Sequence, residues 1–235
     1  MIDREFLRRG GFTAALTEAA RAGLIRLTTP EERRRSRREL LARGARPGAD
    51  VWVFAYGSLM WNPAFHHAEA RPATVRGFHR RFCLQVGFFR GTRENPALLL
   101  GLERGGSCRG IAYRICAGAV EEELDIIWAR EMVGEGYLPI WVRVEAGGET
   151  LSAIAFAIDR KAPTYAGRLS DEATAQRIAV ASGEFGHCAD YLEDAAAHLE
   201  ERGIHDRTVT ATLKRVRELR GAFTATGRAG PSRPR

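Results

Sequence analysis

VWVFAYGSLMWNP, residues 51–63, joins an apolar run to a short turn that contains glycine and serine. Residues 51–55 lack an alternation of apolar and polar side chains, so the pattern predicts a strand that is buried on both faces. Gly57 lets the chain turn at the end of this strand, where backbone NH groups can converge on a carboxylate or phosphate. Two interpretations stay open for the turn: an anion-binding site, or an ordinary turn after a core strand.

The composition is that of a globular protein. The chain has 235 residues, of which 45% are hydrophobic, so one domain with extensions can bury its core without disulfides or metal. The cysteines form no CxxC pair, and their apolar settings predict buried thiols in a reducing cytosol; they are Cys83, Cys108, Cys116 and Cys188. Because the chain has neither a signal-peptide core nor an apolar run of membrane-spanning length, we expect a soluble, cytoplasmic protein without a membrane partner.

The chain carries a formal net charge of +7, which raises the question of nucleic-acid binding. Lys161 and Lys214 are its only lysines, and the other positive charges are arginines scattered among acids, as in EERRRSRREL and LERGGSCRG. A nucleic-acid interface is expected to gather its basic residues on one face and to interleave them with aromatic residues. The pattern therefore argues against a nucleic-acid partner.

The chain divides into three regions by its sequence pattern. Residues 1–48 predict a helical extension, residues 49–221 a folded domain, and residues 222–235, rich in Pro, Gly and Arg, a disordered tail. An N-cap, a first-turn proline and a capping-box glutamate predict one helix of the extension, at Thr29, Pro30 and Glu32.

The folded domain begins with a region rich in strands. The strand patterns surround one helical pattern at 118–133 and cover residues 51–55, 73–86, 97–103, 109–115, 137–146 and 150–158. Strands grouped in this way, without regular alternation with helices, predict an α+β fold with a mixed or closed sheet. Three further helical patterns begin near Ser170, Gly186 and Asp206.

Glu131 lies on the apolar face of the helix predicted at 118–133. That face is formed by Val120, Leu124, Ile127 and Trp128. At helical spacing, Glu131 lies within about 20° of Val120 and Leu124. Burial and the negative end of the helix dipole both raise a carboxyl pKa toward neutrality, as a general acid/base requires. Alternatively, the side chain extends past the helix end or pairs with Arg130. An anion-binding turn and a proton-transferring glutamate together suit an amino-acid derivative with a carboxylate and an amine.

The sequence resembles the ChaC family of γ-glutamylcyclotransferases from about Val51 to Leu219. The resemblance rests on VWVFAYGSLMWNP, RRFCL, RGT, GLERGGSCRGIAYRI, AREMVGEGYLP, PTYAGRLS and GHCADYL. It implies a closed or nearly closed mixed β-barrel with flanking helices, and it assigns the catalytic glutamate to Glu131. The folded domain at 49–221 is then the catalytic domain.

The resemblance also implies a substrate and a reaction. The substrate is glutathione or a related γ-glutamyl compound, whose α-amine attacks its own γ-carbonyl to give 5-oxoproline and, from glutathione, cysteinylglycine. Glu131 moves the proton from the α-ammonium to the departing nitrogen, and no water, metal or organic cofactor is required. The carboxylate of the γ-glutamyl head binds at the turn formed by Tyr56, Gly57, Ser58 and Leu59.

Further residues follow from the same resemblance. Tyr165 matches a tyrosine near the family's site, although it could equally be a packed loop aromatic. Arg90 is expected to neutralise the glycine-end carboxylate of glutathione. Arg130 is expected to brace Glu131 or the helix end rather than to contact the substrate. Phe88 and Phe89 stand where many relatives carry Asp-His, so a γ-glutamyl compound other than glutathione stays open as the substrate. A non-catalytic binding protein with the same fold is a separate alternative.

Two other pairs of residues are discounted as sites. His187 and Cys188 are neighbours on one helix and have no third orienting residue, so a thiol nucleophile is not expected. His66 and His67 lack further ligands for a metal and are expected to be exposed. The sequence leaves the oligomeric state undetermined, and the extension at 1–48 is interpreted as either covering the barrel or mediating self-association.

Overall fold

The structure, a computed structural model, describes residues 3–227, with side chains described as far as residue 222. The chain forms two compact units. We call the first, Met1–Leu84 with Leu99–Gly167, the barrel unit, and the second, Gln85–Leu98 with Arg168–Arg235, the helical unit. The expected extension at 1–48 thus belongs to the same unit as the barrel.

The barrel unit begins with helices and continues with strands. Its helices are α1 (Arg4–Arg8), α2 (Gly11–Ala15), α3 (Thr17–Arg21), α4 (Pro30–Gly44) and α5 (Val120–Glu131). Its strands are β1 (Val51–Ala55), β2 (Glu69–Val86), β3 (Ala97–Ile115), β4 (Tyr137–Ala146) and β5 (Glu149–Ile158), of which β2 and β3 continue by two residues into the other unit. Short 3₁₀ turns occupy Ser58–Met60 and Ala117–Ala119.

The helical unit contains α6 (Asp171–Val180), the two-residue strands β6 (Ser182–Gly183) and β7 (Gly186–His187), α7 (Cys188–Glu201) and α8 (Arg207–Gly227). Ser170 caps α6 by accepting a hydrogen bond from Ala173 N, and Asp206 does the same for Val209 N at the start of α8. Both helices begin where the sequence patterns predicted. Helix α8 continues six residues beyond the expected boundary at 221, and the rest of the predicted tail, 228–235, lies outside the described residues.

The five long strands close into a mixed barrel in the order β1-β3-β2-β4-β5. β1 pairs antiparallel with β3 and parallel with β5, and β4 pairs antiparallel with β5 along its whole length. Side chains at alternate positions of all five strands form one core cluster, which includes Phe54, Val75, Leu102, Val144 and Ala153. The predicted α+β fold with a closed mixed barrel and flanking helices is therefore confirmed.

Strand β1 explains the apolar run at 51–55. All its residues but Trp52 are buried, as predicted from the missing alternation. Phe54 lies in the barrel core. Outside the barrel, Trp128 of α5 packs edge-to-face against Phe156 of β5, with ring centroids 5.1 Å apart. Helix α5, which ends at Glu131, is thus packed on the barrel wall.

The sequence misjudged one strand and one thiol. β3 is a single strand from Ala97 to Ile115 rather than two, because Gly105 and Gly106 adopt φ values of +110° and +68° without ending the strand. Cys116 is exposed, so the expectation of buried thiols is wrong for it, because it lies where the chain leaves β3 and turns into the next 3₁₀ turn. The other three cysteines are buried.

The capping box at the start of α4 is confirmed. The Thr29 side chain accepts a hydrogen bond from Glu32 N at 3.1 Å, and the Glu32 carboxylate accepts one from Thr29 N at 2.7 Å. Pro30 is the first residue of the helix. Within residues 3–227, none of the helices has the length and apolar character needed to cross a membrane.

Candidate active site

The turn after β1 is a single 3₁₀ turn, Ser58–Met60. Met60 N donates to Gly57 O at 2.8 Å, and Asn62 N donates to Ser58 O at 2.9 Å. The NH groups of Gly57, Ser58 and Leu59 come before the first of these bonds, so the turn itself does not use them. This geometry suits the anion-binding interpretation, which stays a prediction.

Two of the four residues assigned to the turn serve the core with their side chains. The Tyr56 hydroxyl donates to Phe156 O at 2.7 Å, and its ring is part of the barrel core. Leu59 is also buried. We therefore expect any contribution of these residues to ligand binding to come from the backbone.

Gly57 has open space beside it. Its φ is −132°, outside the left-handed region that favours glycine. A Cβ at this position would meet only Leu100 Cβ, at 3.9 Å, which is an ordinary contact distance. Protein packing therefore leaves room for a side chain at Gly57.

Arg80, to which the sequence analysis gave no role, anchors the start of the turn. It is 2% exposed, and its Nε donates to Tyr56 O at 2.5 Å while its Nη2 donates to Arg109 O at 2.7 Å. The sequence signal was the charged motif around RRFCL inside a strand pattern. Periodicity could not tell which of the adjacent basic residues points inward.

Arg130 connects the turn to Glu131. Its Nη2 donates to Ser58 Oγ at 2.8 Å and its Nη1 to Asn62 O at 2.5 Å. Its Nε lies 3.3 Å from Glu131 Oε1. The expectation that Arg130 braces Glu131 agrees with these contacts, and the same guanidinium holds the turn.

Glu131 is the last residue of α5, and its side chain is 13% exposed. Burial raises the pKa of its carboxyl above the usual value, and the Arg130 guanidinium opposes this shift without cancelling it. Both sequence interpretations thus hold in part, since Glu131 is paired with Arg130 and still has a raised pKa. A carboxyl in this state can exchange a proton with a nearby amine.

Tyr165 is tied to Glu103, a buried glutamate to which the sequence analysis gave no role. Its hydroxyl donates to Glu103 Oε1 at 2.6 Å. Burial is the largest cause of a raised pKa of the phenol, and this hydrogen bond is the next largest. Glu103 is 1% exposed and also binds Arg81 and Arg160, at 2.9 and 2.7 Å. Burial alone would raise its pKa, but these three donors outweigh burial and lower the pKa to about 2.

Arg90 belongs to the helical unit. Its Nη1 donates to His187 O at 2.9 Å and lies 3.5 Å from Asp190 Oδ2. Beside it, Phe89 has a φ of +60° and contacts Phe88 and Phe185 edge-to-face, with ring centroids 5.1 and 4.8 Å apart. The roles of Arg90, Phe88 and Phe89 toward a substrate stay predictions.

The two discounted pairs lie in different environments. Cys188 is buried, its Sγ donates to Leu98 O at 3.4 Å, and burial raises the pKa of the thiol to about 11. Such a thiol is a poor nucleophile at neutral pH. His66 and His67 are exposed. Within the described part of the chain, no three His, Cys, Asp or Glu side chains are grouped to hold a metal ion.

Comparison with known proteins identifies relatives of the chain. The family model described as ChaC-like protein matches residues 51–219. The glutathione-specific γ-glutamylcyclotransferase of Escherichia coli K12 is 39% identical over 170 residues, which cover 72% of this chain and 74% of that protein. Glutathione-specific γ-glutamylcyclotransferase 1 of Homo sapiens is 31% identical, over 76% of this chain and 84% of that one.

The fold is also similar to that of a solved structure. The crystal structure of a yeast γ-glutamylcyclotransferase specific to glutathione has a TM-score of 0.66 and 22% sequence identity, and the match covers 74% of this chain and 98% of that one. This likeness concerns the fold. With the family model spanning most of the chain and two curated relatives above 30% identity, the chain belongs to the ChaC-like protein family.

Proposed function

We propose that the protein is a γ-glutamylcyclotransferase that converts glutathione to 5-oxoproline and cysteinylglycine, with Glu131 as general acid/base. The substrate class rests on the relatives, which are named as glutathione-specific enzymes. The observation that carries the mechanism is the link made by Arg130 between Ser58 of the turn and the buried carboxyl of Glu131. This link keeps an anion-binding turn and a proton acceptor side by side.

Substrate binding begins at the turn. The α-carboxylate of the γ-glutamyl head accepts hydrogen bonds from the NH groups of Gly57, Ser58 and Leu59, in the space beside Gly57. The neighbouring α-ammonium then lies toward Glu131. Because the nucleophile and the carbonyl belong to one molecule, much of the catalysis consists of selecting the conformer that closes the ring.

The reaction itself is a proton-coupled ring closure. Glu131, in its ionised form, takes a proton from the α-ammonium, whose ordinary pKa is about 8. The free amine attacks the γ-carbonyl carbon, the new C–N bond closes the five-membered ring, and the old bond to the cysteine nitrogen breaks. The proton held by Glu131 passes to that nitrogen, and the second proton that the ring nitrogen loses brings the departing amine to its ammonium form. A water molecule stabilises the developing charge on the γ-carbonyl oxygen, because the NH groups of the turn bind the α-carboxylate.

Two further residues are assigned to substrate binding. Tyr165 is immobilised by Glu103 through its hydroxyl, which suits a wall of the site. Arg90 carries the positive charge assigned to the glycine-end carboxylate of glutathione, next to an aromatic cluster that includes Phe185, which is 56% exposed. The cluster supports a second candidate substrate, a γ-glutamyl compound with an apolar leaving group. We place the activity in the cytoplasm, where free thiols such as the four cysteines persist.

The test is the formation of 5-oxoproline. The purified protein is incubated with glutathione and, separately, with γ-glutamyl dipeptides that carry polar or apolar leaving groups. Glu131→Gln is expected to abolish the product, whereas Glu122→Gln, on the same helix with a side chain 57% exposed, is expected to keep wild-type activity. Absence of 5-oxoproline from every substrate would overturn the proposed activity. Wild-type activity in Glu131→Gln would remove Glu131 from the mechanism.

A further inference from the structure

A four-residue segment of the N-terminal extension lies beside the residues that come directly after Glu131. We call residues 25–28, between α3 and α4, the strap; it lies outside the residues that match the family model. Thr28 Oγ1 donates to Met132 O, and Thr28 N donates to Val133 O at 2.9 Å. Leu27 forms an antiparallel bridge with Gly134. The strap therefore binds the three residues directly after Glu131.

The next contacts continue in the same register. Arg26 Nε lies 2.5 Å from Glu135 Oε1. A Cβ on Gly134 would collide with the Ile25 side chain, so the two segments are in close contact. Residues 132–135 thus each have a partner on the strap.

The end of a helix needs donors from outside. The last carbonyl groups of an α-helix have no partner within the helix, and without other donors the last turn frays. Glu131 is the last residue of α5, and Met132 is its C-cap. The two donors of Thr28 satisfy the carbonyl groups of Met132 and Val133, which immediately follow Glu131. Loss of these bonds would free the turn that carries the Glu131 carboxyl.

Thr28 is itself held in place. Arg33 Nη1 donates to Thr28 O at 2.7 Å and to Thr28 Oγ1 at 3.2 Å. Helix α4, which contains Arg33, also grips α5 through Arg37, whose Nη2 lies 2.8 Å from Glu121 Oε2. The extension therefore holds α5 near its start and fixes its end through the strap.

We propose that Thr28 is a positioning residue for Glu131. Through the strap, the N-terminal extension then contributes to the active site and does not only cover the barrel. This inference rests on the proposed role of Glu131. Thr28 acts on the reaction through the helix end. It should therefore influence the rate of the chemical step more than substrate binding.

The test compares three variants for kcat, KM and hydrogen exchange. Thr28→Val keeps the shape of the side chain and removes its hydroxyl, so the bond to Met132 O and the longer bond from Arg33 Nη1 are both lost. Because the bond to Met132 O is the one at the helix end, kcat for 5-oxoproline formation should fall about fivefold, with KM changed less than about twofold. Thr28→Ser keeps the hydroxyl and should retain most of the wild-type kcat. Thr17→Val is the matched control, because Thr17 Oγ1 donates to Thr13 O within the extension. It should leave kcat unchanged.

Hydrogen exchange provides a readout that does not depend on catalysis. Amides of residues 131–135 should exchange faster in Thr28→Val than in the wild type, Thr28→Ser or Thr17→Val. Wild-type kcat and unchanged exchange in Thr28→Val would overturn the inference. So would an equal loss of kcat in Thr17→Val. If the wild type forms no 5-oxoproline, the proposed function fails, and faster exchange in Thr28→Val would still establish that the strap fixes this helix end.

Discussion

Glu103, which is 1% exposed, and Glu131, whose side chain is 13% exposed, both lie in the barrel unit, yet their pKa values shift in opposite directions. Glu103 accepts hydrogen bonds from Tyr165, Arg81 and Arg160, and its pKa falls to about 2. Glu131 faces one guanidinium at 3.3 Å, and burial raises its pKa. For these two carboxyls, the number of hydrogen-bond donors therefore sets the direction in which the pKa departs from its ordinary value.

The largest expected effect is the loss of activity in Glu131→Gln. General acid/base catalysis contributes about a hundredfold to ten-thousandfold, so 5-oxoproline formation should fall by about a thousandfold. Thermal stability should not fall, because the raised pKa means that burying the ionised carboxyl is unfavourable and the neutral amide removes that cost. Steady-state kinetics and thermal unfolding of the same preparation check both. A large loss of stability would show that the Glu131 carboxylate, like that of Glu103, stabilises the fold.

Glu103→Gln should show the opposite behaviour. Two arginines and a tyrosine lose their ionised acceptor, so the free energy of unfolding at neutral pH should fall by about 3 kcal/mol. Because the folded pKa lies below the ordinary value of 4.5, this stabilisation is present above that pH and is lost as the pH falls from 4.5 toward about 2. The difference between wild type and variant should therefore shrink over that range in urea unfolding experiments.

A surface pair provides the control for Glu103→Gln. Glu145, whose side chain is 53% exposed, pairs with Arg76, and Glu145→Gln should leave the midpoint of urea unfolding close to that of the wild type, because exposed ion pairs contribute little. If both Gln variants lose the same stability, the buried donors of Glu103 add nothing and the comparison between the two glutamates fails.

Arg130→Gln should widen the difference in pKa between Glu131 and Glu103. Its guanidinium is the charge that lowers the pKa of Glu131, so its removal should raise that pKa further. The base form of Glu131 is then lost at a higher pH, and the acid limb of the kcat/KM profile should move to higher pH. Arg21→Gln, with a side chain 74% exposed, is the control and should leave the profile in place. An unmoved limb for Arg130→Gln would show that Arg130 does not influence the titrating group.

Tyr165→Phe should lower stability less than Glu103→Gln does. It removes one of the three donors to Glu103, so stability should fall by about 1 kcal/mol. In a Glu103→Gln background the same exchange should cost less, because the ionised acceptor is already absent. Equal losses in both backgrounds would contradict the coupling. A fall in kcat/KM without a change in stability would indicate that Tyr165 contacts the substrate.

Local sequence patterns predicted most of the fold. Missing alternation identified β1, the order of Thr29, Pro30 and Glu32 identified the start of α4, and side-chain spacing put Glu131 on the apolar face of α5. These predictions succeeded because each depends on residues within one or two turns of each other. The split of β3 failed because two glycines can either end a strand or bend it, and only its pairing in the barrel decides between them.

The site was predictable only in part. The turn at 57–59 and Glu131 were visible as separate local signals, and the family resemblance joined them. Arg80 and Glu103 were missed because their partners are distant along the chain: Arg80 binds Tyr56, 24 residues away, and Glu103 binds Tyr165, 62 residues away. A charged side chain in a strand pattern either faces solvent or pairs with a buried partner. The sequence alone does not identify that partner.

The sequence by itself determined the strand at 51–55, the helix that carries Glu131 and which face of that helix is apolar. These features follow from periodicity and capping over a few residues. Only the tertiary structure decided which buried carboxyl holds a fixed charge and which can exchange a proton. It also placed Thr28 against Met132, 104 residues away, at the end of α5. The physical reason is that a pKa and a helix end depend on donors brought close in space, whereas sequence patterns report neighbours along the chain.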